Sequence, residues 1–344
     1  MPPRQHWTAW CSGAGRPPEN FNKIASFRKW HQDFKLMKIR ANGIDIEVED
    51  SGAGLDAQGR ARPVVLLIMG LGMQLIAWPP ALVQALVDAG YRVVCFDNRD
   101  AGLSQHFDAL GTPKVLWAAL KYRLGWRITP PYSLQDMALD ALGVLDALNI
   151  DRAHVAGASM GGMVAQRLAL LAPARVLSLA SIMSSSGARG LPDARPDVTR
   201  VLMRRPGKGI DAAIEHTVRV FTAIGSPGFP MRETDLRDMV GAAARRSLYP
   251  AGIVRQMVAV LTDRTRADEL AGIKVPTLVV HGKADPLVPF ACGEDTARRI
   301  PGARLAGIDG MGHDLAPGVA LRLLALLIPH LDAANPATPF RQFT

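Results

Sequence analysis

A serine stands among small residues in the stretch HVAGASMGGMVAQ, which spans residues 154–166. An apolar run leads directly into Ser159, and a helical pattern begins at Met160. A serine at such a junction takes a strained backbone conformation, and large side chains two positions away would collide with the neighbouring strand and helix. Gly157 and Gly161 occupy those positions. The spacing therefore favours a nucleophile elbow, which lifts a hydroxyl clear of a sheet at a helix N-terminus.

Two other interpretations of this stretch exist. The G-x-S-x-G pattern occurs by chance, and its glycines would then serve only close packing. A phosphate-binding loop is excluded more firmly, because the stretch contains neither GxxxxGK[ST] nor GxGxxG. The strand pattern before the serine and the helix pattern after it favour the elbow over chance packing.

A serine hydroxyl is a weak nucleophile unless a base takes its proton and a third group orients that base. Asp285 follows an apolar strand pattern in TLVVHGKADPLVP, and His313 lies in a glycine-rich loop after the next one. Each alone could be an ordinary turn residue, but their order and placement predict a triad with Ser159 as nucleophile and His313 as base. Asp309 and Asp314 flank His313 and are the weaker candidates for the acid.

An oxyanion hole needs two backbone donors beside the nucleophile. One is expected from the N–H of Met160, which follows the serine. The other is expected from the stretch MGLGMQLIAWP, with the Leu71 N–H as first choice and Gly72 as second. Glycine lets a backbone approach a substrate closely. Gly70 and Gly72, together with the adjacent Met73, are therefore predicted substrate contacts. Taken alone, these glycines are better explained by an ordinary turn at the end of a strand.

Short apolar runs alternate with helical patterns along the chain, and the runs begin at Pro63, Tyr91, His154, Val176 and Thr277. Runs that are apolar throughout are typical of parallel strands covered on both faces. Residues 82–89 and 133–148 show apolar residues at helical spacing, and Ser133 with Asp136 forms a capping pattern at the start of the second. The alternation predicts an α/β fold with a doubly wound, mostly parallel sheet.

The strand signal disappears over residues 186–262, which are arginine-rich, helical in pattern and interrupted by GSPGFP. We interpret this segment as a helical cap inserted after the sixth strand, and residues 37–185 and 263–335 as the core. Residues 1–36 contain proline pairs, three tryptophans and no sustained periodicity, and we expect a disordered or loosely packed extension. Met37 opens the first strand pattern and is a possible working start of translation.

The formal net charge of +9 is carried by two segments of the 344-residue chain. Residues 1–36 hold six Lys or Arg against two acids, residues 186–262 hold twelve against seven, and the remainder balances. Clustered cations could contact nucleic-acid phosphates. The cap segment has no helix-turn-helix or RNP-like pattern and no interleaved aromatics, so we expect solvated helix faces and no nucleic-acid partner.

The cysteines and histidines point away from disulfide and metal chemistry. The three cysteines, Cys11, Cys95 and Cys292, are far apart, and neither CxxC nor HExxH occurs. No apolar run is long enough to cross a bilayer, and no secretory signal pattern is present. We therefore expect a cytoplasmic protein without a metal or a membrane span. The sequence leaves monomer and homodimer open.

Five stretches together resemble the α/β-hydrolase superfamily: MGLGMQLIAWP, FDNRDAGLS, GASMGGMVAQ, HGKADPLVP and GMGHDLAP. They are similar to its esterase and lipase branch, particularly to hydrolases of the aclacinomycin methylesterase type. The resemblance covers roughly residues 37–330. Two departures are Met69-Gly70, where many relatives carry His-Gly, and the first 36 residues, which have no recognisable counterpart. In FDNRDAGLS, we expect Asp97, Arg99 and Asp100 to pair and hold the oxyanion loop.

The leading functional hypothesis is a cofactor-independent serine hydrolase that cleaves a carboxylic ester of a small molecule through an acyl-enzyme. A serine at position 159 argues against a dehalogenase, which would need a carboxylate nucleophile there. Carbon–carbon bond hydrolases and perhydrolases use the same triad and stay open as alternatives. A non-catalytic ligand-binding protein of the same fold is the alternative from a different class.

Overall fold

A computed structural model describes residues 34–55, 61–114 and 128–335, together with residues 117, 121, 124 and 126. The predicted N-terminal extension lies outside the described residues up to position 33. The first strand begins at Lys35, two residues before Met37. Among the described residues, no helix combines the length and the apolar character needed to span a membrane.

Eight strands form one sheet in the order β1-β2-β4-β3-β5-β6-β7-β8. Their bounds are Lys35–Ala41 (β1), Ile44–Asp50 (β2), Val64–Ile68 (β3), Arg92–Phe96 (β4), Ala153–Ala158 (β5), Val176–Ile182 (β6), Thr277–Gly282 (β7) and Arg304–Ile308 (β8). The β1–β2 and β2–β4 pairs are antiparallel, and every other pair is parallel. The prediction of a mostly parallel sheet is confirmed.

The helices alternate with the strands from β3 onward. Their bounds are Pro80–Asp88 (α1), Leu134–Ala147 (α2), Met160–Leu171 (α3), Pro196–Leu202 (α4), Ile210–Ile224 (α5), Glu233–Arg246 (α6), Pro250–Thr262 (α7), Arg266–Glu269 (α8), Phe290–Arg299 (α9) and Pro317–Ala333 (α10). Helices α4 to α7 lie between β6 and β7, so the predicted helical cap after the sixth strand is confirmed. Its bounds at 186 and 262 remain predictions.

Both faces of the sheet are buried. On β3, Val65 and Leu67 pack into one core cluster with α1 and α10, whereas Leu66 and Ile68 pack into another with α2 and α3. Because side chains alternate across a strand, burial on both faces requires apolar residues throughout. This is why these strands were recognisable from the sequence as unbroken apolar runs.

Local signals determine where the helices flanking the site begin and end. The predicted capping pair at the start of α2 is a complete capping box, in which the Ser133 hydroxyl accepts from the Asp136 N–H and the Asp136 carboxylate accepts from the Ser133 N–H. Helix α3 begins at Met160, directly after Ser159, and ends at Leu171, shortly before Pro173. Ser159 is therefore placed between the end of β5 and the first turn of α3.

Candidate active site

Ser159 adopts the strained backbone of a strand-to-helix turn, with φ of 55° and ψ of −120°. A Cβ at Gly157 would lie 2.1 Å from the Gly161 carbonyl oxygen, and one at Gly161 would lie 2.0 Å from the Ile68 carbonyl oxygen. Neither position has room for a side chain. The two glycines let β3, β5 and α3 approach closely enough to form the turn, and Ser159 itself stays partly exposed.

Hydrogen bonds to its backbone hold the turn in this conformation. The Ser159 N–H donates to the Ile182 carbonyl at 2.8 Å, and its carbonyl accepts from the Gly162 N–H at 2.9 Å. The Ser184 hydroxyl donates to the same carbonyl at 2.7 Å. The backbone polar groups of Ser159 are thus all paired, and the side-chain hydroxyl is the group left to do chemistry.

The three predicted triad residues come together although they are far apart in the chain. The Ser159 Oγ lies 3.0 Å from His313 Nε2, and His313 Nδ1 lies 2.7 Å from Asp285 Oδ2. An ionised carboxylate only accepts hydrogen bonds, so the imidazole proton belongs on Nδ1 and the Nε2 lone pair faces the serine hydroxyl. This is the arrangement in which an imidazole can take the serine proton.

The Asp285 carboxylate is oriented by the loop that carries it. Its Oδ1 accepts from the Leu287 N–H at 2.9 Å and from the Val288 N–H at 2.8 Å, which leaves Oδ2 for His313. His281 lies 3.6 Å from Oδ2 but donates its Nε2–H to the Val288 carbonyl at 2.7 Å instead. Burial lowers the pKa of His281, so it adds no positive charge beside the carboxylate.

The His313 loop is held by the segment that follows α5. The His313 N–H donates to the Ile224 carbonyl at 2.7 Å, and the Gly312 N–H donates to the Ser226 hydroxyl at 2.8 Å. The Ser226 hydroxyl in turn donates to Asp314. The glycine-rich break predicted inside the cap segment therefore lies against the loop that carries the base.

The weaker candidates for the acid have other partners, and the buried Cys292 is not an alternative nucleophile. Asp314 pairs with Ser226, and Asp309 forms an exposed ion pair with Lys283 at 2.9 Å. Burial raises the pKa of the Cys292 thiol to about 11, so this cysteine is not a thiolate at neutral pH. Among the described residues, no cluster of three His, Cys, Asp or Glu side chains could bind a metal.

The predicted oxyanion loop lies directly against Ser159. A Cβ at Gly70 would lie 3.2 Å from Ser159 Cβ and 3.8 Å from Ser159 Oγ. The Gly72 N–H donates to the Gln256 side chain at 2.8 Å, and the Met73 N–H donates to the Gly70 carbonyl at 3.1 Å. Both N–H groups are therefore already paired, which argues against Gly72 as the donor.

The two N–H groups predicted as oxyanion donors, those of Leu71 and Met160, are not paired in this way. Within the described part of the chain, the N–H groups of Leu71 and Met160 have no hydrogen-bond acceptor. A donor kept free of internal partners is what the charge on a developing oxyanion requires. The role of Leu71 and Met160 as donors, and of Gly70, Gly72 and Met73 as substrate contacts, remains a prediction.

Two residues directly after β4 form hydrogen bonds with the stretch that contains the oxyanion loop. The Asn98 side chain donates to the Met69 carbonyl at 2.9 Å, and the Asp97 carboxylate accepts from the Leu75 N–H at 2.7 Å. Arg246 of the cap pairs with Asp97 at 2.7 Å. Burial raises the pKa of Asp97, and the arginine opposes that shift.

The expectation that Asp97, Arg99 and Asp100 pair to hold the loop is only partly right. Arg99 pairs with Asp140 of α2, and Asp100 pairs with Arg255 of α7. The three side chains therefore point to different elements, because each fills a separate buried site. Asp97 is the member of this group that bonds directly to the oxyanion loop.

Sequence reasoning missed the cap and loop residues that bind the site from outside, namely Ser184, Ser226, Arg246, Arg255 and Gln256. A usable signal existed for one pair. Helix α7 reads PAGIVRQMVAVLT, in which Arg255 and Gln256 interrupt an otherwise apolar stretch. Polar residues at buried helix positions require partners, so this pair could have been assigned to a contact with the core.

Comparisons with known proteins identify the family of this chain. Residues 63–316 match the family model for the alpha/beta hydrolase fold. The rhodomycin D methylesterase DauP of Streptomyces sp. (strain C5) is 31% identical over 291 residues, which cover 79% of this chain and 91% of that protein. The rhodomycin D methylesterase DnrP of Streptomyces peucetius is 30% identical over the same shares of the two chains.

A solved structure agrees in fold. The enol-lactonase from Burkholderia xenovorans LB400 superposes with a TM-score of 0.64 at 22% sequence identity, over 86% of this chain and 100% of that one. The family match confirms the resemblance seen in the sequence motifs. Residues 63–316 include β5, β7 and β8, and Ser159, Asp285 and His313 follow these strands. The chain therefore belongs to the alpha/beta hydrolase fold family.

Proposed function

We propose that this protein is a serine hydrolase that cleaves a carboxylic ester of a small molecule through an acyl-enzyme. The observation that carries the proposal is the hydrogen-bonded series from Asp285 through His313 to Ser159, with the serine on a strained turn at the start of α3. Buried structural histidines also bind carboxylates, but His313 also has a partly exposed serine hydroxyl hydrogen-bonded to its other ring nitrogen, which is the geometry of an activated nucleophile.

In the proposed first half-reaction, the Ser159 Oγ attacks the ester carbonyl carbon and its proton passes to His313 Nε2. The negative charge on the carbonyl oxygen is stabilised by the N–H groups of Leu71 and Met160. Asp285 stabilises the imidazolium that forms. The intermediate then collapses, the alcohol leaves with the proton from His313, and the acyl group stays on the serine.

Water completes the proposed cycle. His313 takes a proton from a water molecule, the resulting hydroxide attacks the acyl carbon, and the carboxylic acid leaves as Ser159 regains its proton. No cofactor is needed, because each step moves only a proton and an acyl group between groups that this chain supplies.

The relatives suggest the type of ester. Both rhodomycin D methylesterases are named for removing a methyl ester, and each aligns over most of this chain. We therefore favour an ester with a small alcohol and a larger acyl part. Helices α4 to α7 would shape the acyl pocket, since this segment contacts the oxyanion loop through Gln256 and the His313 loop through Ile224.

The test is hydrolysis of short-, medium- and long-chain p-nitrophenyl esters and of a matched set of methyl esters, by the wild type and by Ser159→Ala. We expect the wild type to turn over and the variant to lose about 10⁴-fold or more in kcat. Equal activity in both proteins would remove Ser159 as the nucleophile.

A second measurement separates an inactive protein from an unsuitable ester panel. A fluorophosphonate probe forms a covalent bond with an activated serine whatever the natural acyl group, and mass spectrometry locates it. We expect modification at Ser159 and none in His313→Ala. An unmodified Ser159 in the folded wild type would favour a non-catalytic ligand-binding protein. Cleavage of vinylogous diketones, or formation of peracids from esters and added hydrogen peroxide, in preference to ester hydrolysis would favour the related triad chemistries.

A further inference from the structure

One glutamine of the cap joins the oxyanion loop to the loop after β4. Gln256 lies on α7 and its side chain is fully buried. Its Oε1 accepts from the Gly72 N–H at 2.8 Å, and its Nε2 donates to the Arg99 carbonyl at 2.8 Å. A buried amide with both ends paired in this way holds two backbone segments at a set separation.

The helix that carries Gln256 is itself fixed to the core. The neighbouring Arg255 binds the Asp100 carboxylate through two nitrogens, at 2.7 Å and 2.9 Å, and the two side chains are 1% and 0% exposed. One turn earlier, a Cβ at Gly252 would lie 2.1 Å from the Asp100 carbonyl oxygen. The contact is too close for α7 to slide, so Gln256 is a rigid support.

The bond to Gly72 acts on the peptide group beside the proposed donor. The Gly72 N–H and the Leu71 carbonyl belong to one planar unit, so pairing that N–H fixes the orientation of the whole unit. The next N–H, from Met73, turns back to the Gly70 carbonyl at 3.1 Å. Gly72 has φ of +67°, and a Cβ there would lie 2.8 Å from Ile253 of α7. The backbone on the C-terminal side of Leu71 is therefore constrained at each step.

We propose that Gln256 is a positioning residue for the reaction. By fixing the Leu71–Gly72 peptide, it holds the turn in which the Met73 N–H binds the Gly70 carbonyl. That carbonyl and the Leu71 N–H belong to one planar peptide unit, so the turn aims the Leu71 N–H at the developing oxyanion. The inference rests on the proposed serine hydrolase function and extends it to a residue of the cap. The charge on the oxyanion develops in the transition state, so the contribution of a well-aimed donor falls on kcat rather than on KM.

The test compares two fully buried glutamines. Gln166 of α3 also has both ends of its amide paired, with the Ser181 hydroxyl and with Arg266, but it does not contact the oxyanion loop. Methionine has nearly the volume of glutamine and removes both hydrogen bonds, so Gln256→Met and Gln166→Met lose equivalent groups. The measurements are kcat and KM on the preferred ester, the rate constant for fluorophosphonate modification of Ser159, and amide exchange of the peptide spanning 70–74.

For Gln256→Met, we expect kcat and the modification rate to fall about 10- to 100-fold with KM within about twofold, since loss of a complete oxyanion donor costs roughly 100- to 1000-fold. Amide exchange at 70–74 should rise in the same variant. Gln166→Met should lower the melting temperature and leave kcat, KM, the modification rate and amide exchange at 70–74 close to their wild-type values.

The outcomes separate the two proposals. If Ser159 of the wild type is modified at a normal rate but Gln256→Met matches Gln166→Met in kcat and modification rate, the positioning role is wrong and the hydrolase proposal stands. If Ser159 of the wild type is neither modified nor needed for turnover, the hydrolase proposal is wrong and the role of Gln256 falls with it.

Discussion

The elbow and the oxyanion loop bring backbone and side-chain groups to the same point but are stabilised differently. The elbow, residues 157–162, is shaped by its own small residues, because the approach of Gly157 and Gly161 to neighbouring backbone leaves no room for a side chain. The oxyanion loop, residues 70–75, has a single hydrogen bond within itself among the described residues, from the Met73 N–H to the Gly70 carbonyl. Its conformation depends on side chains from distant parts of the chain, including Asp97, Asn98 and Gln256.

The difference shows which kind of information a short stretch of sequence contains. A turn with no room for side chains requires glycine at set positions, so it can be recognised from its own sequence. A substitution at one of those glycines disrupts the turn directly. A loop supported from outside can keep its sequence and still lose its shape when a supporting residue changes. The four predictions below test this contrast, from the largest expected effect to the smallest.

The largest effect is expected where the serine depends on its base. In Asp285→Asn, the N–H groups of Leu287 and Val288 would hold the amide oxygen, because they already bind Oδ1. The amide NH₂ would then face His313 and force the imidazole proton onto Nε2, against the serine. We expect kcat/KM to fall about 10³- to 10⁴-fold with the fold intact. Retention of more than a tenth of the activity would show that another residue orients His313.

The second prediction compares a glycine of the elbow, Gly161, with a glycine of the oxyanion loop, Gly70. A Cβ in Gly161→Ala would lie 2.0 Å from a carbonyl oxygen, so backbone must move, and we expect a loss of about 3 kcal/mol or more of unfolding free energy. In Gly70→Ala the nearest atoms are 3.2 Å away, so we expect less than about 1.5 kcal/mol. Urea unfolding measures both, and equal losses would contradict the contrast.

The third prediction concerns the outside support. Arg255→Met leaves the buried Asp100 carboxylate without its partner, and we expect a loss of about 3–5 kcal/mol of unfolding free energy. The matched control is Arg232→Met. Arg232 binds Asp235 with the same two-nitrogen geometry, but the two side chains are 82% and 45% exposed, so we expect a much smaller loss. A small loss in both variants would mean that water reaches Asp100.

The smallest effect is expected at the opposite end of the strand that leads into the elbow. Burial lowers the pKa of His154 to about 4, whereas an unfolded histidine titrates near 6.5. Between these values the unfolded chain binds the additional proton, so the free energy of unfolding falls as the pH falls. From pH 7 to pH 5 this amounts to about 2 kcal/mol. His154→Gln should lose that part of the pH dependence, and an unchanged pH dependence in urea unfolding would show that folding does not shift the pKa of His154.

Much of the fold and the position of Ser159 could be predicted because their signals are local. The apolar runs of the parallel strands, the capping box of α2 and the small residues around Ser159 each lie within a few positions of one another. Asp285 and His313 were found by their order and by their places after late strands, which is a topological argument.

The supports of the oxyanion loop could not be predicted in the same way. Gln256 is 184 positions from Gly72, and Arg246 is 149 positions from Asp97. No spacing rule links them, because their contact depends on how the cap helices pack on the core. The expected grouping of Asp97, Arg99 and Asp100 was only partly right for the same reason, since their partners lie on three different helices.

The uneven attachment of the cap has a consequence for how specificity can diverge. Hydrogen bonds to the core arise at Ser186, at Arg195, at residues 224–228, at residues 243–249 and at residues 255–256. Residues 202–211 are all exposed, and among the described residues no hydrogen bond ties them to the core. Insertions, deletions and exchanges between relatives can accumulate in that stretch at little cost to the fold. Descendants of one ancestral chain could thus acquire different cap surfaces while inheriting the same inner supports unchanged.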